Sequence, residues 1–147
     1  MTHSEAHDRQ ELRDLALAYA EAIDAKNADE VVNLFTNDAV FRAYDRPQGE
    51  AHGVGEIHAL VGKLLSSFSA TMHHVSGPRA VFSGPDSARG VVSLVAWHRF
   101  TDERPDGIIW GRYLDDYVRI GDHWRIAHRT LTVHGQQDFT FPWITPA

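Results

Sequence analysis

Two histidines stand side by side in the segment Thr71-Met72-His73-His74-Val75, which is rich in residues that favour β-strands. Neighbouring residues on a strand point to opposite faces, so one of the two imidazoles should face the interior. A neutral imidazole is a competent base near pH 7. The inward histidine is therefore either a packing residue or a base.

Tyr19 and Asp24 occupy the first predicted helix, where Tyr19 is in register with the apolar residues Leu12, Leu15 and Ile23. Five residues span about 500° of helix rotation, so the two side chains are roughly 140° apart unless the helix frays or bends at Asp24. A carboxylate is also unfavourable at the negative end of a helix dipole. Asp24 is thus either a solvated terminal residue or a residue with another role.

His98 lies on a predicted strand whose same-face neighbours are apolar: Val92, Leu94, Ala96 and Phe100. The strand therefore buries this imidazole. It either donates a structural hydrogen bond or takes part in chemistry.

Arg129 stands between apolar neighbours on the last predicted strand, where a guanidinium needs a carboxylate, an aromatic face or an anionic ligand. A salt bridge to Asp115 or Asp116 is the simplest explanation. On a regular strand, Trp124 and Ile126 would face the opposite side from Arg129. Which of these side chains face the interior therefore depends on β-bulges that the sequence does not reveal.

The elements that must position these residues form an α+β pattern, with helices first and β-strands afterwards. Short connections predict antiparallel neighbours, and a bent sheet covered by helices leaves a concave chamber for a small ligand. The predicted helices cover 11–25, a short segment capped by Asn27, and 55–68; the predicted strands cover 39–44, 71–82, 88–101, 107–120 and 123–134.

Composition limits the function classes. A chain of 147 residues with 43% hydrophobic and 23% charged residues fits one globular domain, here 1–147. A net charge of -6 opposes binding to nucleic acid or anionic membranes, and the absence of cysteine excludes thiolate metal sites. No metal motif is present. We expect a cytoplasmic protein, a mobile start over 1–8, and an apolar tail over 136–147 that closes the chamber or covers a neighbouring subunit.

The order of elements, Tyr19-x4-Asp24, Thr71-Met72-His73, and the two ending segments 111–119 and 124–129 resemble the SnoaL-like branch of the nuclear transport factor two-like superfamily. The resemblance covers nearly the whole chain. It implies a cone-shaped α+β barrel in which a curved antiparallel sheet packs on three N-terminal helices.

Within that branch the sequence is most similar to the group of scytalone dehydratase, bile acid dehydratase and hexachlorocyclohexane dehydrochlorinase. The resemblance implies a His–Asp pair that removes a proton without a metal or organic cofactor. It places Asp24 and His73 in the pair, with His73 facing inward and His74 outward, and makes Tyr19 and His98 further catalytic candidates. Arg129, Tyr44 and Tyr113 are the candidates for substrate binding.

The leading hypothesis is a cofactor-independent lyase that performs a β-elimination on a small apolar or polycyclic molecule. The same pair would also serve an isomerase or a polyketide cyclase, and the fold is also used by non-catalytic binding or assembly modules. A predicted exposed sheet face with Trp97, Trp110 or Tyr117 suggests a homo-oligomer. The resemblance implies a dimer or a trimer.

Overall fold

Three helices form one layer of the molecule in the computed structural model, which describes residues 4–139. Helix α1 covers Glu5–Asp24, α2 covers Ala28–Val32 and α3 covers Gly53–Leu65. The side chain of Ser4 caps α1 by accepting a hydrogen bond from the His7 amide. The apolar stripe predicted on α1 is buried, which fixes this helix against the sheet.

Within residues 4–139, seven strands form a curved, unclosed sheet beneath the helices. They are β1 Phe35–Arg42, β2 Glu50–His52, β3 Phe68–Val75, β4 Arg79–Gly84, β5 Ser87–Phe100, β6 Gly107–Ile120 and β7 His123–Gln137. The order is β2-β1-β7-β6-β5-β3, and β4 also pairs with β5. The predicted α+β cone is thereby confirmed.

One pairing departs from the expected antiparallel sheet, because β1 runs parallel to β7. In the chain, helix α3 separates the antiparallel β1–β2 pair from strands β3 to β7, so β1 meets β7 only through a long crossover. The sheet is therefore mixed. A further difference is that the predicted strand over 71–82 is two strands, interrupted at residues 76–78.

A β-bulge determines which side chains of β7 face the interior. Asp116 pairs with His128, but the next residue, Tyr117, pairs with Ile126, so β7 carries one extra residue at this point. Ile126 and Arg129 both face inward as a result, and both are almost fully buried.

The start of the chain is more regular than expected, because α1 begins at Glu5, inside the stretch 1–8. The Asp8 carboxylate accepts hydrogen bonds from Arg119 at 2.7 Å and from the Trp124 indole at 3.2 Å, which ties α1 to β6 and β7. Residues 1–3 and most of the predicted apolar tail, 140–147, lie outside the described residues.

The two faces of the sheet differ in character. The inner face packs with the helices into one apolar core. The outer face exposes large apolar side chains on several strands: Met72, Val81, Val91, Val95, Trp110 and Leu114. Trp97 is half-buried on this face. The prediction that Tyr117 also lies on this face is wrong, because Tyr117 points inward and is 2% exposed. Within residues 4–139 no helix has the length and apolar character that a membrane span requires.

Candidate active site

The end of α1 brings Asp24 to the sheet. Asp24 is the last residue of the helix, and two residues later Lys26 adopts a left-handed conformation with φ of 56°. The chain then turns into α2, which the Asn27 side chain caps. Asp24 is thus not a solvated terminal residue, because its side chain reaches β3 instead of remaining at the negative end of the helix dipole.

Asp24 and His73 form a hydrogen-bonded pair. His73 Nδ1 lies 2.7 Å from Asp24 Oδ1, and the backbone N–H of His73 donates to Asp24 Oδ2 at 2.9 Å. The Thr71 hydroxyl donates to Asp24 Oδ1 at 2.9 Å. The His73 and Asp24 side chains are only 9% and 20% exposed, so the pair is shielded from most solvent. His74, the next residue, is exposed.

The electrostatics of the pair favour an ionised carboxylate. Partial burial alone would raise the pKa of Asp24, but the hydrogen bonds from the side chain and backbone of His73 and from Thr71 outweigh it and lower that pKa. An ionised Asp24 accepts a proton-bearing Nδ1 and leaves His73 Nε2 as the ring atom that can take a proton.

His98 lies next to the pair on the wall formed by β5. It is 5% exposed, and its ring centroid is 5.6 Å from that of His73 in an edge-on arrangement. Burial, reinforced by the neighbouring His73, lowers the pKa of His98 to about 4. His98 is therefore neutral near pH 7. Its Nδ1 is buried and finds no hydrogen-bond partner in the described part of the chain.

An apolar cavity of about 90 Å³ opens in front of His73, several times the space that one ordered water needs. Its polar lining consists of Thr71, His73, His98 and the phenols of Tyr19, Tyr44 and Tyr113. Burial raises the pKa of each tyrosine, so all three phenols stay protonated and can donate hydrogen bonds. The apolar lining comes from α1, α3, β1, β3, β6 and β7 and includes Ile23, Phe41, Val61, Leu64, Phe68, Ile109, Leu131 and Phe139.

Arg129 lies behind this wall and does not line the cavity. Its guanidinium sits between the rings of Tyr19 and Tyr113, at 4.2 and 4.1 Å from their centroids. It binds both oxygens of Asp115, at 2.8 and 2.7 Å, and the Tyr117 hydroxyl donates to the same carboxylate. Arg129 thus makes the predicted salt bridge to Asp115 and supports two cavity tyrosines, while its position gives no support to the expected contact with substrate.

Sequence reasoning missed two contributors to the site, Thr71 and Gly49. Thr71 stands out in the sequence only as a β-former, although its alternation with His73 places both on the inner face of one strand. Phe139 belongs to the predicted apolar tail over 136–147, and its ring centroid lies 4.6 Å from that of His98, where it closes one side of the cavity. Gly49 indicates only a turn in the sequence, yet a Cβ there would lie 2.6 Å from the Tyr44 ring.

The site offers no grouping of metal ligands. Across residues 4–139, no three histidine, aspartate or glutamate side chains converge as a metal ion would require. The absence of a metal or organic cofactor from the chemistry stays a prediction.

Comparison with known proteins gives the family of this chain. Residues 4–130 match the model of the SnoaL-like domain. An uncharacterised protein of Mycobacterium tuberculosis is 30% identical over 132 residues, which cover 88% of this chain and 87% of that protein.

Several solved structures share the fold. A protein of Novosphingobium aromaticivorans with the provisional designation scytalone dehydratase superposes with a TM-score of 0.89 at 26% identity, covering 99% of this chain and 97% of its own. A hexachlorocyclohexane dehydrochlorinase of Novosphingobium barchaimii superposes with a TM-score of 0.81 at 15% identity, and the superposition covers 97% of each chain. A nuclear transport factor 2-like superfamily protein of Salmonella enterica superposes with a TM-score of 0.79 at 19% identity, and the superposition covers 88% of this chain and 93% of that protein.

The match to the family model spans both the helical layer and nearly all of the sheet, including the segments that carry Asp24 and His73. This chain therefore belongs to the SnoaL-like domain family.

Proposed function

We propose that this protein is a cofactor-independent lyase that removes a proton and a leaving group from a small, largely apolar molecule. The observation that carries the proposal is the 2.7 Å contact between His73 Nδ1 and Asp24 Oδ1 beside an apolar cavity. A base that is held by a carboxylate and faces a ligand-sized space is the arrangement that proton abstraction from carbon requires.

In the proposed reaction His73 Nε2 takes the proton from carbon. Asp24 fixes the ring tautomer and stabilises the imidazolium that forms, as a carboxylate does in other acid–base sites. The electron pair of the broken C–H bond forms the new double bond, and the leaving group departs with the electrons of its own bond. Hydrogen bonds from buried phenols would stabilise the negative charge on the leaving atom.

The other candidate residues receive different roles in this proposal. Tyr19, Tyr44 and Tyr113 line the cavity as neutral donors, and His98 is a neutral imidazole beside the base. These four side chains can orient the substrate and its leaving group. Arg129 has no direct contact with substrate in this proposal, since its guanidinium binds Asp115 outside the cavity.

An elimination assay tests the proposal. Scytalone and hexachlorocyclohexane are suitable probes because the similar structures include a provisionally designated scytalone dehydratase and a hexachlorocyclohexane dehydrochlorinase. A third probe, 5-nitrobenzisoxazole, reports proton abstraction by any well-placed base through its coloured product. We expect His73→Gln and Asp24→Asn to lose about 10²–10⁴-fold in kcat with whichever probe is turned over. The matched control His74→Gln changes the exposed neighbour and should keep full activity.

Loss of activity in His73→Gln with unchanged circular dichroism and thermal unfolding would support the role of the base. Activity of His73→Gln equal to that of the parent protein would refute it.

An isomerase or cyclase is the second candidate, and the three cavity phenols favour it because they could polarise a carbonyl and stabilise an enolate. Mass spectrometry of the product separates the candidates. An elimination product is lighter by water or a halide acid, whereas isomerisation or cyclisation conserves mass. A non-catalytic binding module would bind such molecules without converting them.

We further propose that the chain forms a homo-oligomer through the outer face of its sheet. Trp110, Leu114 and Met72 are 41%, 46% and 50% exposed there, on two different strands. Apolar side chains gathered on one face are typical of a surface that a partner covers.

A further inference from the structure

The Asp24 carboxylate accepts three hydrogen bonds, and all of them come from β3. The Thr71 hydroxyl and His73 Nδ1 both meet Oδ1, at 2.9 and 2.7 Å, while the His73 backbone N–H meets Oδ2 at 2.9 Å. Two of the three donors belong to His73 itself. Thr71 is thus the one donor to Asp24 in the described part of the chain that does not also belong to the proposed base.

The two His73 donors bind one carboxylate oxygen each, so they align the carboxylate with His73 but hold it only through the proposed base itself. The Thr71 hydroxyl binds Oδ1 from a second position on the strand and anchors the carboxylate independently of the His73 ring. Thr71 is β-branched, which restricts χ1, and the residue is 8% exposed, so the hydroxyl itself is held in place. The same hydrogen bond is among the causes that lower the pKa of Asp24.

We propose that Thr71 is a positioning residue whose hydroxyl holds the Asp24 carboxylate in the plane that orients His73. The inference rests on the proposed function of the His73–Asp24 pair. Thr71 acts through Asp24, so losing its hydroxyl should impair the chemical step more than the binding of a ligand.

Three variants test this inference. Thr71→Val keeps the shape and removes the hydroxyl, whereas Thr71→Ser keeps the hydroxyl and loses the methyl group. Thr36→Val is the matched control, because Thr36 is equally buried at 8% exposure and donates to an aspartate, Asp38, at 3.0 Å on another strand.

With 5-nitrobenzisoxazole as the probe, we expect Thr71→Val to lower kcat about tenfold, the order expected for one hydrogen bond to a charged group, with KM changed less than about twofold. Thr71→Ser should recover most of that loss, and Thr36→Val should show none. If Thr71 had a purely structural role, Thr71→Val would lower thermal stability but would not lower kcat more than it changes KM.

Nitrogen-15 spectra of the imidazoles supply a readout that needs no turnover. The parent protein should hold His73 as the tautomer protonated on Nδ1, and Thr71→Val should give a mixture of tautomers; a His73→Gln spectrum identifies the resonances. An unchanged tautomer in Thr71→Val, or a Thr71→Ser protein as impaired as Thr71→Val, would overturn the inference. A changed tautomer together with an active His73→Gln would refute the proposed base alone.

Discussion

His98 is a histidine whose surroundings keep it uncharged. The rings of Phe68 and Phe139 lie with centroids 4.6 Å from its own, and no carboxylate hydrogen-bonds to it in residues 4–139. Burial therefore lowers its pKa from the ordinary 6.5 to about 4. The unfolded chain binds a proton at this side chain more readily than the folded protein does.

This difference predicts how the free energy of unfolding depends on pH. A histidine with a lowered pKa contributes its full stabilisation above pH 6.5 and loses it as the pH falls towards 4. Between about pH 7 and about pH 4.5 the free energy of unfolding should fall by roughly 2 kcal/mol on this account. Urea unfolding at about pH 7 and about pH 4.5 measures this fall in the free energy of unfolding. In His98→Asn the free energy of unfolding should depend clearly less on pH. His74→Asn, which leaves His98 intact, should keep the parental slope.

Arg129 and Asp115 form a buried ion pair, with side chains 1% and 0% exposed. Removing one partner leaves the other charge buried and alone, so Arg129→Met should destabilise the fold by about 3–5 kcal/mol. Arg99→Met removes a guanidinium that binds both oxygens of Asp106 in the same way, but at the surface, and should change stability little. Equal effects of the two substitutions on urea unfolding would contradict this prediction.

The residues of the site differ in how far the sequence alone predicts them. Alternation with apolar neighbours places His98 on the inner face, and the structure agrees. For the adjacent pair, alternation predicts only that one histidine faces inward, and the family resemblance selects His73. The meeting of Asp24 with His73 depends on the packing of the end of α1 against β3, a tertiary contact that helical periodicity does not indicate. The inward position of Arg129 depends on the bulge in β7, and a bulge leaves no regular signal in sequence.

At the scale of elements, Gly49 determines how the connection between β1 and β2 can close. A Cβ at this position would lie 2.4 Å from the Tyr44 carbonyl oxygen and 2.6 Å from its ring, closer than atoms can approach. Gly49→Ala should therefore displace Tyr44 from the cavity wall and destabilise the fold by about 1–3 kcal/mol, in the range of overpacking.

The matched control is Gly62, which lies in the interior of α3 and has open space where the methyl group of an alanine would lie. Gly62→Ala should stabilise the protein by roughly 0.5–1 kcal/mol, since alanine favours a helix over glycine. Thermal unfolding of the two variants measures both changes. Opposite signs are expected, and a stabilising Gly49→Ala would contradict the close packing against Tyr44.

Elements with a strong periodic pattern are predicted best. The third helix and the two long strands β5 and β6 appear within about three residues of their predicted bounds, because their patterns are long and unbroken. The strand β2 has only three residues and carries no pattern of its own, so the sequence does not predict it. The parallel pairing of β1 with β7 is a tertiary property that the short connections elsewhere do not indicate.

At the scale of the whole molecule, the outer sheet face predicts association. Leu114→Glu places a charge among the exposed apolar side chains and should dissociate the proposed oligomer into monomers. Leu17→Glu is the control, because Leu17 is 46% exposed like Leu114 but lies on α1. Sedimentation velocity measures both. A monomeric parent protein, or equal effects of the two substitutions, would contradict this interface.

The pairing of β1 with β7 also affects how the chain can fold during synthesis. On the ribosome, β1 emerges early, but the strand that pairs with it in parallel is translated near the end of the domain. Phe35 and Phe41, both buried in the finished protein, must therefore wait through most of translation for that strand. Contacts so distant in sequence slow folding, and these two apolar side chains lack their β7 neighbours until that strand has been released.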